Sequence, residues 1–231
     1  MALITLDRLE RRNAIDQEAC RELAQAVADA SDARVLVLTG AGGHFCAGAD
    51  LSQVEDTAFV EALRGALFAL RDAPQPVIAA VDGAALGAGT QLAIACDLRV
   101  ATAQARFGIP AARLGLMVDH WTVQRLSLMA GHGPARAMLL AAEVIDGGQA
   151  AGLGLVQRLG TLEDALTWAD AIAALAPLTI AGHKLMLNRC EIDTHNDPEV
   201  AEAFARAWRS ADLAEGMAAF KERRPPRFTG A

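Results

Sequence analysis

Two short glycine-bearing segments of the sequence have the residue types of an anion-binding site. HFCAGADL (residues 44–51) and GAALGAGTQL (83–92) each follow an apolar run that predicts a buried strand. The second segment leads into an apolar helix, whose first N–H groups and dipole favour negative charge. Because loops at the carboxyl ends of neighbouring parallel strands converge, the two segments could supply two backbone N–H donors to one oxyanion. Either segment taken alone is more simply explained as a tight turn.

Other catalytic patterns are absent from the sequence. It contains neither the GxxxxGK[ST] phosphate loop nor a GxGxxG motif that opens a helix after the first strand. Ser127 does not lie in a GxSxG turn, which argues against a serine hydrolase. The histidines are scattered without the spacing of a metal site. We therefore expect no metal and no tightly bound cofactor.

Composition limits the class of protein. The chain has 231 residues, of which 53% are hydrophobic, so it can bury the core of one large domain or of a domain with an appendage. A formal net charge of -7 argues against a nucleic-acid binder. We expect no signal peptide, and no uninterrupted apolar run reaches the ~20 residues that a membrane span needs. Four cysteines without a CxxC pair are typical of buried free thiols, and we expect a cytoplasmic protein.

Strand and helix patterns alternate along the first two thirds of the chain. Strands are predicted over 3–6, 34–40 and 74–83, and an intervening helix has Asn13 or Asp16 as its possible N-cap. GPARAMLLAAEVI (133–145) predicts a helix, and from Thr161 onward the pattern is helical throughout. This order predicts an α/β body with a largely parallel sheet, followed by helices that pack on the body or on another subunit.

Longer motifs identify the chain as a member of the crotonase superfamily of enoyl-CoA hydratases and isomerases. ERRNAI, FCAGADL, PVIAAVDGAALGAGTQLAIACDLRVA, ARFGIPAARLGL and AFKERRPPRFTG resemble family landmarks in the family's order. The resemblance implies a spiral of ββα units over residues 1–176 and a helical oligomerisation region over 177–231. It also implies a homotrimer or hexamer.

The resemblance further implies that the ligand is an acyl-CoA thioester. Its carbonyl oxygen would accept hydrogen bonds from the backbone N–H groups of Ala49 and Ala88. The neighbouring residues that would contact the thioester are Ala47, Asp50, Leu51 and Gly87.

The acid and base of the family's hydratases are missing. Gln91 and Ala111 stand at the two positions where the resemblance implies catalytic glutamates. Neither an amide nor a methyl group transfers a proton near neutral pH, and the loss of one general acid or base costs about 10²–10⁴-fold in rate. The resemblance therefore leaves open whether the chain is an enzyme.

One carboxylate could substitute for the missing pair. Asp119 matches a position from which some isomerase and dehalogenase relatives supply a carboxylate, which would suffice for Δ3-Δ2-enoyl-CoA isomerisation or an atypical hydration. Alternatively, Asp119 is the N-cap of a helix that begins near Thr122. Trp121 could line the acyl channel, or it could belong to the core.

AGTQLAIACDLRV, GLMVDHW and GHGPARAMLL resemble one branch of the family in particular. This branch comprises hydratase-like acyl-CoA-binding proteins of mycolic-acid-producing bacteria, which lack the catalytic glutamates. It implies a protein of lipid metabolism that binds a fatty acyl-CoA and passes it to fatty-acid elongation enzymes.

Overall fold

A computed structural model describes residues 1–51, 56–190, 198, 202, 205 and 208–229. The chain divides into two compact units. The first consists of Met1–Phe107 and Ile145–Cys190, and the second consists of Gly108–Val144 and the described part of Glu191–Ala231. The boundary expected at residues 176 and 177 stays a prediction.

The described strands form two sheets. They are β1 (Ala2–Leu6), β2 (Leu36–Gly40), β3 (Val77–Val81), β4 (Ala84–Leu86), β5 (Leu98–Ala101), β6 (Arg106–Gly108), β7 (Val144–Asp146) and β8 (Arg158–Leu159). The larger sheet has the order β1-β2-β3-β5-β8, and every neighbouring pair is parallel. The smaller sheet has the order β4-β6-β7. The predicted mixed α/β fold with a parallel sheet is confirmed.

The helices of the first unit are α1 (Gln17–Asp29), α2 (Thr57–Asp72), α3 (Ala88–Ala95), α6 (Gly147–Gly152), α7 (Leu162–Ala173) and α8 (Pro177–Arg189). Helix α1 begins at Asp16, whose carboxylate accepts the Ala19 N–H at 2.9 Å, so Asp16 rather than Asn13 is the N-cap. Helices α1 and α2 pack against each other. Helix α7 covers a face of the larger sheet, and the shared core contains Val35, Val37, Ile78, Ala80, Val100, Ala165, Ala169 and Ile172.

Helix α8 is anchored by a buried lysine. Lys184 Nζ lies 2.7 Å from the Asp97 carboxylate and donates to the carbonyls of Leu70 and Gln75 at 3.2 and 3.1 Å. Because a buried ammonium group needs several acceptors, these contacts fix where α8 lies on the first unit.

The second unit contains a 3-10 turn at Pro110–Leu114 and the helices α4 (His120–Ala130), α5 (His132–Leu140) and a C-terminal helix (Ala211–Glu222). The helix expected over 133–145 ends earlier than predicted. Its last residue is Leu140, and Ala142 takes a positive φ of 52°, which the right-handed helix cannot accommodate. Val144 then begins a strand.

No single helix in the described residues has the length and apolar character of a membrane span. Helices α7 and α8 meet that criterion only as a pair, and they are bent by 111° relative to each other.

Candidate functional site

The loop after β2 lies beside the segment after β3. The Cys46 N–H donates to the Ala84 carbonyl at 2.8 Å, and the Leu86 N–H donates to the Cys46 carbonyl at 3.0 Å. These two bonds form an isolated parallel bridge between Cys46 and Ala85. The two glycine-bearing segments of the sequence are therefore held side by side.

Glycine is required where the two segments come closest. A Cβ on Gly89 would lie 2.1 Å from the Cys46 carbonyl oxygen, which no backbone adjustment short of separating the segments would relieve. Gly87 has φ of 53°, and a Cβ there would lie 3.9 Å from the Gly48 Cα. Gly48 and Gly87 thus adjoin, and they immediately precede Ala49 and Ala88.

Ala88 is the first residue of α3, so its N–H has no partner within the helix. The first bond of the helix runs from the Gln91 N–H to the Gly87 carbonyl at 3.0 Å. All eight residues of α3 are buried, which places its N-terminal end and the positive end of its dipole away from bulk water.

The direction of the Ala49 N–H is set by a second parallel bridge. The Ile15 N–H donates to the Gly48 carbonyl at 2.9 Å, and the Asp50 N–H donates to the Ile15 carbonyl at 2.7 Å. The Gly48–Ala49 peptide is trans, so its N–H points opposite to its carbonyl and away from Ile15. Ala49 and Ala88 therefore each carry a backbone N–H suited to an external acceptor.

A neutral thiol supports the same peptide. Cys46 Sγ is fully buried and donates to the Gly48 carbonyl at 3.5 Å. Burial raises the pKa of Cys46 to about 12, and burial likewise raises the pKa of Cys20 to about 12. The Gly48 carbonyl thus accepts from both a thiol and the Ile15 N–H.

A buried arginine holds the other end of α3. The Arg99 guanidinium donates to the carbonyls of Ala93 and Cys96 at 3.1 and 2.9 Å, to the Asp97 carbonyl at 3.2 Å and to the Leu155 carbonyl. A cation at the C-terminal end of a helix satisfies its last carbonyls and favours its dipole. Arg99 therefore fixes the position of α3, and sequence reasoning did not single it out.

The other predicted residues of the first unit lie within three positions of Ala49 or Ala88 in the sequence. Gln91 lies in the first turn of α3 with only 6% of its surface exposed. Ala47, Asp50 and Leu51 are half-buried in the loop that carries Ala49.

The remaining predicted residues, Ala111, Asp119 and Trp121, lie in the second unit. Ala111 is half-buried in the 3-10 turn, and its carbonyl accepts the Leu116 N–H at 3.0 Å. Asp119 is the N-cap of α4, with Oδ1 accepting the Thr122 N–H at 2.9 Å, which confirms the capping alternative. Trp121 is 5% exposed and belongs to the buried residues of α4.

No group of three or more histidine, cysteine, aspartate or glutamate side chains that could hold a metal occurs among the described residues.

The complete chain, residues 1–231, matches the model of the enoyl-CoA hydratase/isomerase family. The chain belongs to this family. It is 46% identical over 234 residues to the "Probable enoyl-CoA hydratase echA6" of Mycobacterium tuberculosis, covering 99% of this chain and 95% of that protein. Membership in the crotonase superfamily, which the motifs predicted, is confirmed.

Solved structures give the same result for the fold. An enoyl-CoA hydratase from Mycobacterium avium subsp. paratuberculosis matches with a TM-score of 0.87 at 26% identity, covering 98% of this chain and 94% of that one. A methylmalonyl-CoA decarboxylase in complex with 2-nitronate-propionyl-CoA matches with a TM-score of 0.90 at 22% identity, covering 99% and 95%. The second likeness concerns the fold alone.

Proposed function

We propose that this protein binds a fatty acyl-CoA thioester and polarises its carbonyl with the N–H groups of Ala49 and Ala88. The observation that carries the proposal is the contact between Gly48 and Gly87, because it brings together the peptides that precede these two donors. Ala88 adds the positive end of a buried helix. Two backbone donors of this kind act as an oxyanion hole when negative charge develops on a carbonyl oxygen.

We further propose that the protein is weak or silent as a hydratase. Hydration of a conjugated double bond needs one group that takes a proton from water and another that protonates the α-carbon. Gln91 is a buried amide, and Ala111 offers only a methyl group. Binding without turnover suits a carrier in lipid metabolism that delivers acyl-CoA to fatty-acid elongation enzymes, as a homotrimer or hexamer in the cytoplasm.

The alternative function is Δ3-Δ2-enoyl-CoA isomerisation, or an atypical hydration, with Asp119 as the proton-transfer group. The observation in its favour is that Asp119 is a half-buried carboxylate whose rotamer is held by the Thr122 N–H. A single fixed carboxylate can carry one proton between two carbons of the same substrate. Its capping role needs only one of its oxygens.

Calorimetry with palmitoyl-CoA tests the binding proposal, and hydration of crotonyl-CoA and isomerisation of a 3-enoyl-CoA are assayed on the same sample. We expect tight binding, with hydration lower than that of a two-glutamate hydratase by at least ~10²-fold. Failure to bind palmitoyl-CoA would refute the proposal.

The variant Asp119→Asn distinguishes the enzymatic alternative from the carrier. Asparagine caps a helix as well as aspartate does, but it carries no charge and cannot act as the proton-transfer group. Asp56, the N-cap of α2, provides the matched control Asp56→Asn. If isomerase or hydratase activity is present and falls ~10²-fold or more only in Asp119→Asn, the enzymatic alternative replaces the carrier.

A further inference from the structure

Asn13 is a fully buried polar residue in a left-handed conformation. It is 0% exposed and has φ of 58°. Asparagine tolerates this region of the φ/ψ map better than most residues do. A buried amide must find its hydrogen-bond partners within the protein, and Asn13 does so with three backbone groups.

The Asn13 amide fixes both ends of the turn after β2. Nδ2 donates to the Ala41 carbonyl at 2.8 Å and to the His44 carbonyl at 2.6 Å, while Oδ1 accepts the Arg8 N–H at 2.9 Å. Gly40 leaves the space for this amide, because a Cβ there would lie 2.8 Å from Nδ2. All donors and the acceptor of the side chain are thus directed at backbone atoms.

The residues on either side of Asn13 pair with the continuation of that loop. The Ala47 N–H donates to the Arg12 carbonyl at 3.1 Å. Two residues after Asn13, Ile15 forms the bridge to Gly48 and Asp50 that orients the Ala49 N–H. The Asn13 side chain therefore binds the first part of the loop after β2, and Ile15, two residues later, pairs with the last part of the same loop.

We propose that Asn13 is a positioning residue for recognition of the acyl thioester. By holding the Ala41 and His44 carbonyls, its amide fixes the loop so that the Gly48–Ala49 peptide keeps its N–H directed at the ligand's carbonyl oxygen. This inference rests on the proposed function. It predicts that removal of the amide affects ligands that have that oxygen and leaves the rest of acyl-CoA recognition unchanged.

Asn13→Gly is the variant that tests this inference, because glycine adopts φ of 58° without strain while the β-carbon and the amide are removed. Asn188→Ala is the matched control. It deletes an amide that donates to the Arg71 carbonyl at 2.9 Å, away from the loop. Affinities are measured for palmitoyl-CoA and for the S-hexadecyl-CoA thioether, which has a methylene in place of the carbonyl.

We expect the wild-type protein to prefer the thioester and Asn13→Gly to lose about two- to twelvefold of that preference, the range of one net hydrogen bond. Thioether affinity should stay unchanged, and Asn188→Ala should behave as wild type. The infrared carbonyl band of the bound thioester should move toward its frequency in water in Asn13→Gly.

Each other outcome is informative. If the wild-type protein does not prefer the thioester, the proposed function itself fails. Suppose that the wild-type protein prefers the thioester. The positioning role is then overturned if Asn13→Gly keeps this preference, or if it loses affinity equally for the thioester and the thioether. Should Asn13→Gly not fold, Asn13→Asp is judged by the same criteria, because it retains the acceptor and the left-handed tendency but lacks both donors.

Discussion

The substitution Ala88→Pro removes one proposed donor and adds the two ring carbons of proline at a buried position. Ala88 is the first residue of α3, where proline fits the helix because the N–H has no intrahelical partner. Proline also restricts the residue before it to extended conformations. Gly87 has φ of 53° and ψ of -116°, the mirror image of an extended residue, which glycine adopts freely. We therefore expect the variant to fold.

The size of the effect follows from what the lost N–H would donate to. A hydrogen bond to a ground-state thioester carbonyl contributes about 0.5–1.5 kcal/mol net, which corresponds to roughly two- to twelvefold in affinity. If the protein also turns over a substrate, the loss should be larger, because removal of an oxyanion donor costs about 10²–10³-fold in kcat. Folding stability should change by about 1 kcal/mol or less.

The assay is calorimetric titration with palmitoyl-CoA and with its thioether analogue. Ala88→Gly is the matched control, because it keeps the N–H and should bind the thioester as the wild-type protein does. Folded Ala88→Pro with wild-type thioester affinity would refute the assignment of Ala88. An equal loss for both ligands would also contradict it, since the proline ring would then be blocking the site.

Three further predictions concern the surroundings of the site. Arg99→Met should lower the free energy of unfolding in urea by roughly 3 kcal/mol, because buried carbonyls lose their donor, and Arg99→Lys should lower it less. At pH 8, Ellman's reagent should modify exposed Cys190 quickly and the three buried thiols only after unfolding, because burial excludes the reagent and, for Cys20 and Cys46, raises the pKa to about 12. Hydrogen bonds from Arg224 lower the pKa of Glu215 from its ordinary 4.5 to about 2, so the stabilising contact is fully present above pH 4.5 and is lost as the pH falls toward 2. Protection of the C-terminal amides from hydrogen exchange, relative to their intrinsic rates, should decrease as the pH falls from 4.5 toward 2. Glu215→Gln should already show this lower protection at neutral pH.

The sequence predicts the elements that bury continuous apolar faces. All five residues of β3 are buried, and so are Phe59, Leu67 and Leu70 of α2, which recur at helical spacing. The spacing of apolar residues predicts such elements directly, because a buried helix or strand face requires apolar residues at the repeat of that element. The capping role of Asp119 could also be predicted, because aspartate is a preferred residue immediately before the first turn of a helix.

Other features depend on contacts between distant parts of the chain. Strand β4 reads as part of a glycine-rich loop, and it becomes extended through its bonds with Cys46. Asn13 was interpreted as a possible cap because asparagine is common there, yet the two acceptors of its Nδ2 group lie about thirty residues away. Arg99 resembles a surface charge in the sequence, and only the end of α3 gives it buried acceptors. No local pattern encodes these pairings.

The two parts of the proposed chemistry place different demands on the sequence. The donors at Ala49 and Ala88 are backbone atoms, so they depend on the fold around them: a Cβ at Gly89 would separate the paired segments. The acid and base that the resemblance implies are side chains, so Gln91 and Ala111 can stand at their positions without removing either backbone N–H. Replacing a buried carboxylate by an amide also removes a desolvation cost. A chain of this fold can therefore give up proton transfer without losing carbonyl recognition, whereas loss of the contact between the two loops would displace both proposed donors.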